Sequence, residues 1–373
     1  MLIMFENKKI LVTGGTGFIG SRLAERLYLD EKADVRVMVH SWPKAAWVSR
    51  LGVELTKADI TNYDEVDKAV EGCEIVFHCV GVGGTREQAM KINAEGTRNV
   101  VTACKKHRVK RVVYLSSVVV HGDKIFDGLD ESSPFESYGD AYADAKIEAE
   151  KVFWQLINEY SLAGSVVRPT YVWGPLSQYY SIDYVQQMKK NTFYLVDNGE
   201  HDCNAVYVDN VVDLCLLCAH HPKAVGEAFI ATDGEQIKWK DFFAFYANML
   251  NTKIDTYKSI PTMDGLDRKI LKFAKQTLQK MIAPITLRND KLEQSNPQLA
   301  KWLCKAPRKL LKMPLKKIQK ILPEMDAVEM SFYSFDGSIS IKKSEKLLAY
   351  KPRISVAQGM NSSETWLKDQ NFI

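Results

Sequence analysis

The chain lacks a long apolar run: no segment approaches the roughly 18–20 apolar residues that a transmembrane helix needs. The opening MLIMF is too short for a signal-peptide core and is followed by the polar ENKK. Internal repeats and low-complexity tracts are also missing, which excludes a repeat architecture. We therefore expect a cytoplasmic globular protein, whose 373 residues allow a large domain and a smaller second one.

Cysteine is sparse and its pattern predicts no metal site. The seven cysteines are an odd number scattered through apolar segments, which indicates reduced thiols rather than disulfides. Cys215 and Cys218 form one CxxC pair ahead of His220 and His221, but no second CxxC exists to complete a zinc site. We interpret VVDLCLLCAHH as a buried helix and predict no bound metal.

Excess charge is confined to one part of the chain. The formal net charge is only +4, yet residues 268–320 hold fifteen lysines and arginines against two acids, Asp290 and Glu293. Apolar residues recur at helical spacing in 266–282 and 308–322, with basic residues opposite. Such helices can lie on an anionic membrane or form a lid with a solvated outer face. We found no nucleic-acid recognition motif and expect no nucleic acid.

Strand-like and helix-like segments alternate through the first 170 residues. Apolar runs rich in β-branched residues, as in KILVT (9–13) and RVVYLSS (111–117), alternate with helical patterns such as 87–106. This order predicts an α/β fold of the Rossmann type, a doubly wound parallel sheet covered on both faces. We assign residues 1–170 to a dinucleotide-binding domain, with returns to it near 204–220. Residues 171–373 then form mainly a smaller, interleaved substrate domain that includes the basic segment 265–322.

A glycine-rich turn follows the first predicted strand. In VTGGTGFIG three glycines stand at intervals of three, directly before a helical pattern. Glycines allow a tight turn and a close backbone approach to a pyrophosphate, while the helix N-terminus offers free N–H groups. The residues expected to contact the dinucleotide are Gly14, Thr16, Gly17, Phe18, Ile19 and Gly20.

The ends of the next strands supply further cofactor candidates. Asp59 and Ile60 follow the third strand, where a carboxylate can accept a hydrogen bond from an adenine amino group. Cys79, Val80 and Gly81 follow the fourth strand, where a small residue leaves room for ribose and nicotinamide. Ligands of open α/β sheets bind at the carboxyl ends of the strands, which is where these residues lie.

AYADAKIEAEK (141–151) places two reactive side chains on one helix face. Tyr142 and Lys146 are four residues apart, and the stripe continues through Ala149, Phe153, Leu156, Ile157 and Tyr160. Asp144 and Glu148 belong to the opposite, polar face. A lysine on an apolar face either snorkels to its edge or has a partner or a task.

Together these motifs resemble the extended short-chain dehydrogenase/reductase family. The resemblance covers residues 9–219 and resumes at 342–360. It is carried by TGGTGFIG, ADI (58–60), FHCVG (77–81), NAEGTRNV (93–100), YLSSVVVHG (114–122), Tyr142-x-x-x-Lys146, RPTYVWGP (168–175) and VYVDNVVD (206–213). It implies an NAD(P)-dependent enzyme that acts on a small molecule.

The resemblance also implies the roles of individual residues. Tyr142 matches the general acid/base, and Lys146 matches the residue that lowers the tyrosine pKa and holds the nicotinamide ribose. Ser117 matches the catalytic serine. The segment beside the nicotinamide, together with the second serine of the motif, adds Ser116, Pro169, Thr170 and Val172 as cofactor-binding candidates.

The end of the second strand bears on the choice of cofactor. NAD-specific members usually carry an acid there to bind the ribose 2′-hydroxyl, but this chain reads VMVHSWPK. His40, Ser41 and Lys44 could receive a 2′-phosphate instead, which favours NADP. The alternative is that His40 packs against adenine and that either NADP or NAD binds.

Several substrates remain compatible with the sequence. We first expect a nucleotide sugar or related carbohydrate, handled by an epimerase or ketoreductase. Many such enzymes carry an arginine ahead of the VYVDN segment, where this chain has Asn204. The alternative is a 3-beta-hydroxysteroid dehydrogenase-like or lipid alcohol dehydrogenase at a membrane surface. A non-catalytic dinucleotide-binding regulator is the third reading, and a homodimer is expected from the family.

Overall fold

The computed structural model describes residues 3–122, 127–191, 193–257 and 336–373. At its centre lies a seven-stranded sheet in which every pairing is parallel. The strands of this sheet are β1 (Lys9–Thr13), β2 (Asp34–Val39), β3 (Glu54–Lys57), β4 (Ile75–His78), β5 (Arg111–Leu115), β6 (Gly164–Pro169) and a late strand at Ala228–Ala231. The predicted doubly wound α/β fold is therefore confirmed.

Helices cover both faces of this sheet. The helices of the first half are α1 (Phe18–Leu29), α2 (Tyr63–Val70), α3 (Arg86–Met90), α4 (Gly96–Lys106) and α5 (Ala141–Tyr160), with a π-helical turn at Lys91–Glu95. Side chains alternate along β1, so that Ile10 and Val12 join the core under α1 while Leu11 joins the core under α2, α4 and α5. Continuous burial of the strands follows because each face has its own hydrophobic layer.

The strand order places a cleft beside β1. From one edge to the other the order is the late strand, β6, β5, β4, β1, β2 and β3. β1 pairs with β2 on one side and with β4 on the other. The strands after β1 are therefore added first on the β2 side and then, from β4 onward, on the opposite side. In open α/β sheets a ligand binds at such a switch point, beyond the carboxyl ends of the strands.

The described residues after β6 form mainly short strands and further helices. These elements are β7 (Tyr171–Trp173), α6 (Asp183–Lys189), β8 (Tyr194–Val196), β9 (Asp202–Cys203), β10 (Ala205–Tyr207), α7 (Val208–His220), β11 (Ala228–Ala231), β12 (Ile237–Lys238), α8 (Trp239–Met249), β13 (Asp255–Tyr257), α9 (Lys342–Leu348) and α10 (Val356–Asp369). Here β11 is the seventh strand of the main sheet, and α7 packs on β5 and β6. Cys215 and Cys218 are buried thiols in α7.

One asparagine joins the C-terminal segment to this body. Asn210 in α7 is fully buried. Its Oδ1 accepts from the backbone N–H groups of Arg353 and Ile354, both at 3.0 Å, and its Nδ2 donates to Asp233 Oδ1 at 2.7 Å and to the Ile354 carbonyl at 2.8 Å. Three of the four hydrogen bonds of this amide therefore hold the segment before α10, and the fourth joins it to Asp233.

The basic segment 265–322 lies outside the described residues, and its contact with a membrane stays a prediction. In the described part of the chain no helix has both the length and the apolar character of a membrane span.

We predict that Asn210→Ala lowers the free energy of unfolding by about 3 kcal/mol, because two partly buried N–H groups and the buried Asp233 each lose a partner. Urea unfolding followed by circular dichroism measures the change. The control is Asn361→Ala on the exposed face of α10, which should be nearly neutral. Equal stabilities of the two variants would contradict the structural role of Asn210.

Candidate active site

The start of α5 sets the direction of its two reactive side chains. Asp140 caps the helix, because its Oδ1 accepts from the backbone N–H groups of Tyr142 and Ala143, both at 3.0 Å. Tyr142 thus lies in the first turn and Lys146 one turn later, on the face that packs against the sheet. The predicted apolar stripe is buried at Ala149, Phe153, Leu156 and Ile157.

Lys146 is a buried cation with three oxygen acceptors. Its side chain is 2% exposed. Nζ donates to the Leu115 carbonyl at 2.8 Å, the Val80 carbonyl at 3.2 Å and the Tyr114 hydroxyl at 3.3 Å. Burial lowers the pKa of Lys146 to about 8, since the charged form loses its hydration. The lysine does not snorkel to the surface.

Tyr142 and Lys146 meet at Gly81, and Ser117 lies beside Tyr142. A Cβ built at Gly81 would lie 3.3 Å from Lys146 Nζ and 3.6 Å from the Tyr142 hydroxyl. Ser117 caps the short 3₁₀ helix Val118–His121 and is hydrogen-bonded to Tyr142. The three predicted catalytic side chains are therefore brought together, around a residue whose lack of a side chain leaves space between them.

The pKa of Tyr142 differs in direction from the sequence expectation. Burial raises it above its usual value; the Tyr180 hydroxyl adds to the rise and the hydrogen bond from Ser117 opposes it. The expectation was that Lys146 would lower this pKa. In the protein alone burial dominates, and the Lys146 ammonium is bonded to Tyr114 and two carbonyls instead.

Ser116 points into the protein interior rather than toward this group. Its Oγ donates to Glu150 Oε2 at 2.5 Å, so any contact of Ser116 with a cofactor would come from its backbone. Glu150 is fully buried and is paired with Arg168, whose Nη2 lies 2.6 Å from Oε1. Arg168 Nη1 in turn bonds His121 Nε2 at 3.0 Å and the Glu131 carbonyl at 2.9 Å.

Sequence reasoning missed two carboxylates of α5. Glu150 stands four residues after Lys146 and eight after Tyr142, a spacing that places it on the same face. Asp144 was assigned to the polar face, and this was wrong: it is 6% exposed and accepts from Arg86 Nη1 and Ser137 Oγ, both at 2.5 Å. The loop before α5 and the start of α3 cover the helix face that the helical pattern alone predicted to be exposed to solvent.

The glycine-rich loop packs against the end of β4. Gly14 has a φ of +66°, and a Cβ there would lie 2.8 Å from the Cys79 carbonyl carbon and 2.9 Å from Val80 N. A Cβ at Gly20 would lie 2.3 Å from the Gly14 carbonyl oxygen. Gly17, at the N-cap of α1, provides no side-chain cap, so the first N–H groups of the helix remain available to an anion. Thr16, Phe18 and Ile19 complete this turn.

The carboxyl ends of β2 and β3 form the outer edge of the cleft. Asp59 Oδ1 accepts from Thr61 N and Thr61 Oγ1, both at 2.9 Å, and Oδ2 lies 3.9 Å from His40 Nε2. These hydrogen bonds from Thr61 hold the pKa of Asp59 below its usual value. His40 is exposed, and Ser41 precedes the 3₁₀ helix Trp42–Ala45 that carries the exposed Lys44. Ile60 lies under Gly96 of α4.

The segment after β6 is tied to the chain's own backbone. Pro169 ends β6, Val172 is buried in β7, and Thr170 Oγ1 donates to the carbonyls of Asn204 and Ala231. Asn204 uses both amide atoms on the C-terminal segment: Nδ2 donates to the Gly337 carbonyl at 2.8 Å, and Oδ1 accepts from Ile339 N at 2.9 Å.

Comparison with characterised proteins gives consistent matches. Residues 11–257 match the model of the 3-beta hydroxysteroid dehydrogenase/isomerase family. A 3-beta-hydroxysteroid dehydrogenase of Mycolicibacterium neoaurum is 30% identical over 254 residues, 63% of this chain and 68% of that protein. A 2-alkyl-3-oxoalkanoate reductase of Shewanella oneidensis is 29% identical over 243 residues. That match covers 61% of this chain and only 62% of the reductase.

A solved structure shows the same fold over almost the whole length. The UDP-glucuronic acid 4-epimerase of Bacillus cereus, in complex with NAD, superimposes with a TM-score of 0.69 at 17% identity. The match covers 97% of this chain and 99% of the epimerase. At this identity the similarity concerns the fold.

We predict that Gly20→Ala lowers the free energy of unfolding by about 2 kcal/mol, because a backbone oxygen would have to move to admit the methyl group. Gly83→Ala is the matched control, since a Cβ there meets no heavy atom within 4 Å. Urea unfolding of both variants measures the difference. An unchanged stability of Gly20→Ala would show that the loop does not pack as described.

Proposed function

The chain belongs to the 3-beta hydroxysteroid dehydrogenase/isomerase family of extended short-chain dehydrogenases/reductases, and from this premise we propose that it is an NAD(P)-dependent oxidoreductase. Its proposed reaction is hydride transfer at the secondary-alcohol or ketone carbon of an apolar substrate. The observation that carries the proposal is the meeting of Tyr142 and Lys146 at Gly81, with Ser117 hydrogen-bonded to Tyr142.

The cleft fits a dinucleotide. Gly14 and Gly20 lie where a side chain would collide with backbone. Gly81 leaves space beside Lys146 and Tyr142. Gly17 and the start of α1 would hold the pyrophosphate and Asp59 the adenine, while Lys146 would exchange one of its present acceptors for the nicotinamide ribose. When bound, the dinucleotide would supply or accept the hydride.

The protein's own residues would handle the proton. In the reductive direction Tyr142 would donate its proton to the carbonyl oxygen, and Ser117 would donate a hydrogen bond to the same oxygen. The raised pKa of Tyr142 keeps the hydroxyl protonated at neutral pH, which is the form that ketone reduction requires. The charge of Lys146 would stabilise the phenolate that remains after transfer.

We propose an apolar substrate in preference to the nucleotide sugar. Asn204, which stands where many sugar-nucleotide enzymes carry arginine, has no positive charge and already holds Gly337 and Ile339 with its amide. Three exposed side chains with apolar surface lie near residues of the site in the sequence. Val82 follows Gly81, Tyr138 precedes Tyr142, and Tyr179 precedes Tyr180. The named activities of the two matched relatives, on steroids and alkyl oxoacids, point the same way.

Tyr142→Phe tests the chemistry. With NADPH and a ketone panel of a 3-ketosteroid and a 2-alkyl-3-oxoalkanoate, we expect kcat to fall by a factor of about 100 or more, as loss of a general acid does. Tyr160→Phe, at the far end of the same helix, is the control and should keep full turnover.

The substrate class is tested in the same assay. Wild-type turnover of the ketones, with no epimerisation of a UDP-sugar, is the expected result. Epimerisation of the UDP-sugar would instead support a carbohydrate substrate. Unchanged turnover by a folded Tyr142→Phe variant would exclude the proposed role of the tyrosine.

We also propose a preference for NADP, on the grounds of His40, Ser41 and Lys44 at the end of β2. Lys44→Ala should weaken NADPH binding about tenfold, the effect of one lost charge-assisted contact, and leave NADH binding nearly unchanged. Fluorescence titration with each cofactor measures both constants. The control is Lys32→Ala, just before the amino end of β2 and so away from its carboxyl end. A tighter complex with NADH in the wild-type protein would contradict this preference.

A cytoplasmic location, a homodimer and peripheral membrane contact through 266–322 stay predictions from the sequence and its family resemblance.

A further inference from the structure

A chain of buried polar side chains runs beneath Lys146. Thr13 Oγ1 lies 2.7 Å from His78 Nδ1, and His78 Nε2 lies 3.0 Å from Thr97 Oγ1. The Tyr114 hydroxyl is hydrogen-bonded to Thr97 and accepts from Lys146 Nζ at 3.3 Å. Each of these side chains is at most 2% exposed. Only Lys146 among them belongs to the proposed catalytic group.

The direction of every bond in this chain can be assigned. Thr97 donates its one proton to the Asn93 carbonyl at 2.6 Å, so its oxygen accepts from both His78 and Tyr114. Burial and the charge of Lys146 lower the pKa of His78 to about 3, and the ring is therefore neutral. Its proton must then be on Nε2, which leaves Nδ1 to accept from Thr13.

This assignment fixes what Tyr114 offers to the lysine. Because an ammonium group can only donate, the lone pairs of the Tyr114 hydroxyl oxygen are presented to Lys146. The Tyr114 ring is also held between two others, stacked at 5.3 Å on His78 and at 5.3 Å on Phe153. Neither the ring nor the hydroxyl is free to turn.

We propose that Tyr114 is a positioning residue for Lys146: Thr97, His78 and Thr13 hold its hydroxyl oxygen as a fixed acceptor for the lysine ammonium. The ring is already fixed by its stacking on His78 and Phe153, and its hydroxyl oxygen is aimed at the lysine ammonium at 3.3 Å. The catalytic consequence rests on the proposed function, whereas the effect of Tyr114 on the lysine itself does not.

Other titratable groups that face Lys146 also affect the pH at which it titrates. α5 contributes Tyr142 and Glu150, β4 and its end contribute His78 and Cys79, and β5 contributes Tyr114. The carbonyls of Leu115 and Val80 are backbone acceptors that side-chain substitution leaves in place. Tyr114→Phe therefore removes one acceptor of the ammonium while it preserves the stacked ring.

The test is a pH titration of the Lys146 Nζ resonance by NMR of ¹⁵N-lysine-labelled full-length protein, assigned with Lys146→Met. Tyr114→Phe should lower the titration midpoint by about one pH unit, the effect of one lost hydrogen bond to a charged group. Thr97→Val, which releases the tyrosine proton, should lower it by less. The double variant should match Tyr114→Phe alone if Thr97 acts through Tyr114.

Tyr350→Phe is the control, because its buried hydroxyl bonds the Asn210 carbonyl at 3.0 Å, away from the lysine. We expect its midpoint to equal the wild-type value. An unshifted midpoint in folded Tyr114→Phe would overturn the proposal, and should that variant fail to fold, an unshifted Thr97→Val would do so. No turnover with any ketone would count against the proposed function only, since the titration needs no substrate.

Discussion

The burial of one positive charge organises the centre of this protein. An ammonium group taken out of water is costly unless oxygen atoms surround it. Lys146 obtains two of its oxygens from the backbone ends of β4 and β5 and the third from Tyr114. Two neighbouring strands must therefore end at the same level, next to the first turns of α5. The geometry of the whole cleft follows from that requirement, because β4 also borders the glycine-rich loop.

Small residues are the second condition for this arrangement. Where Gly14 meets Cys79 and Gly20 meets Gly14, backbone lies within 2.8 Å and 2.3 Å of the position a Cβ would take. Gly81 is different, because a Cβ there would contact Lys146 and Tyr142 side chains rather than backbone. The first two glycines allow the loop to close on the sheet, and the third leaves room between the reactive groups. Packing and chemistry thus depend on the same residue type for separate physical reasons.

The sequence was informative where a pattern is local. Alternating strands and helices predicted the parallel sheet, and the four-residue spacing of Tyr142 and Lys146 predicted their common face. Asp144, Glu150 and Tyr114 were missed or misplaced because their partners are remote: Arg86 and Arg168 lie 58 and 18 residues away from the acids they bind, and Tyr114 lies 32 residues from Lys146. Periodicity reports which face a residue occupies, but it cannot report what covers that face.

The same reasoning bears on substrate chemistry. A phosphate needs donors that are not already bound within the protein. Asn204 carries no charge to attract a phosphate, and turning its amide away from the backbone of Gly337 and Ile339 would leave buried groups unpaired at a cost of about 1–3 kcal/mol each. An apolar substrate makes no such demand, because it gains by leaving water. Asn204 therefore serves to hold the C-terminal segment, which is consistent with the proposed apolar ketone or alcohol.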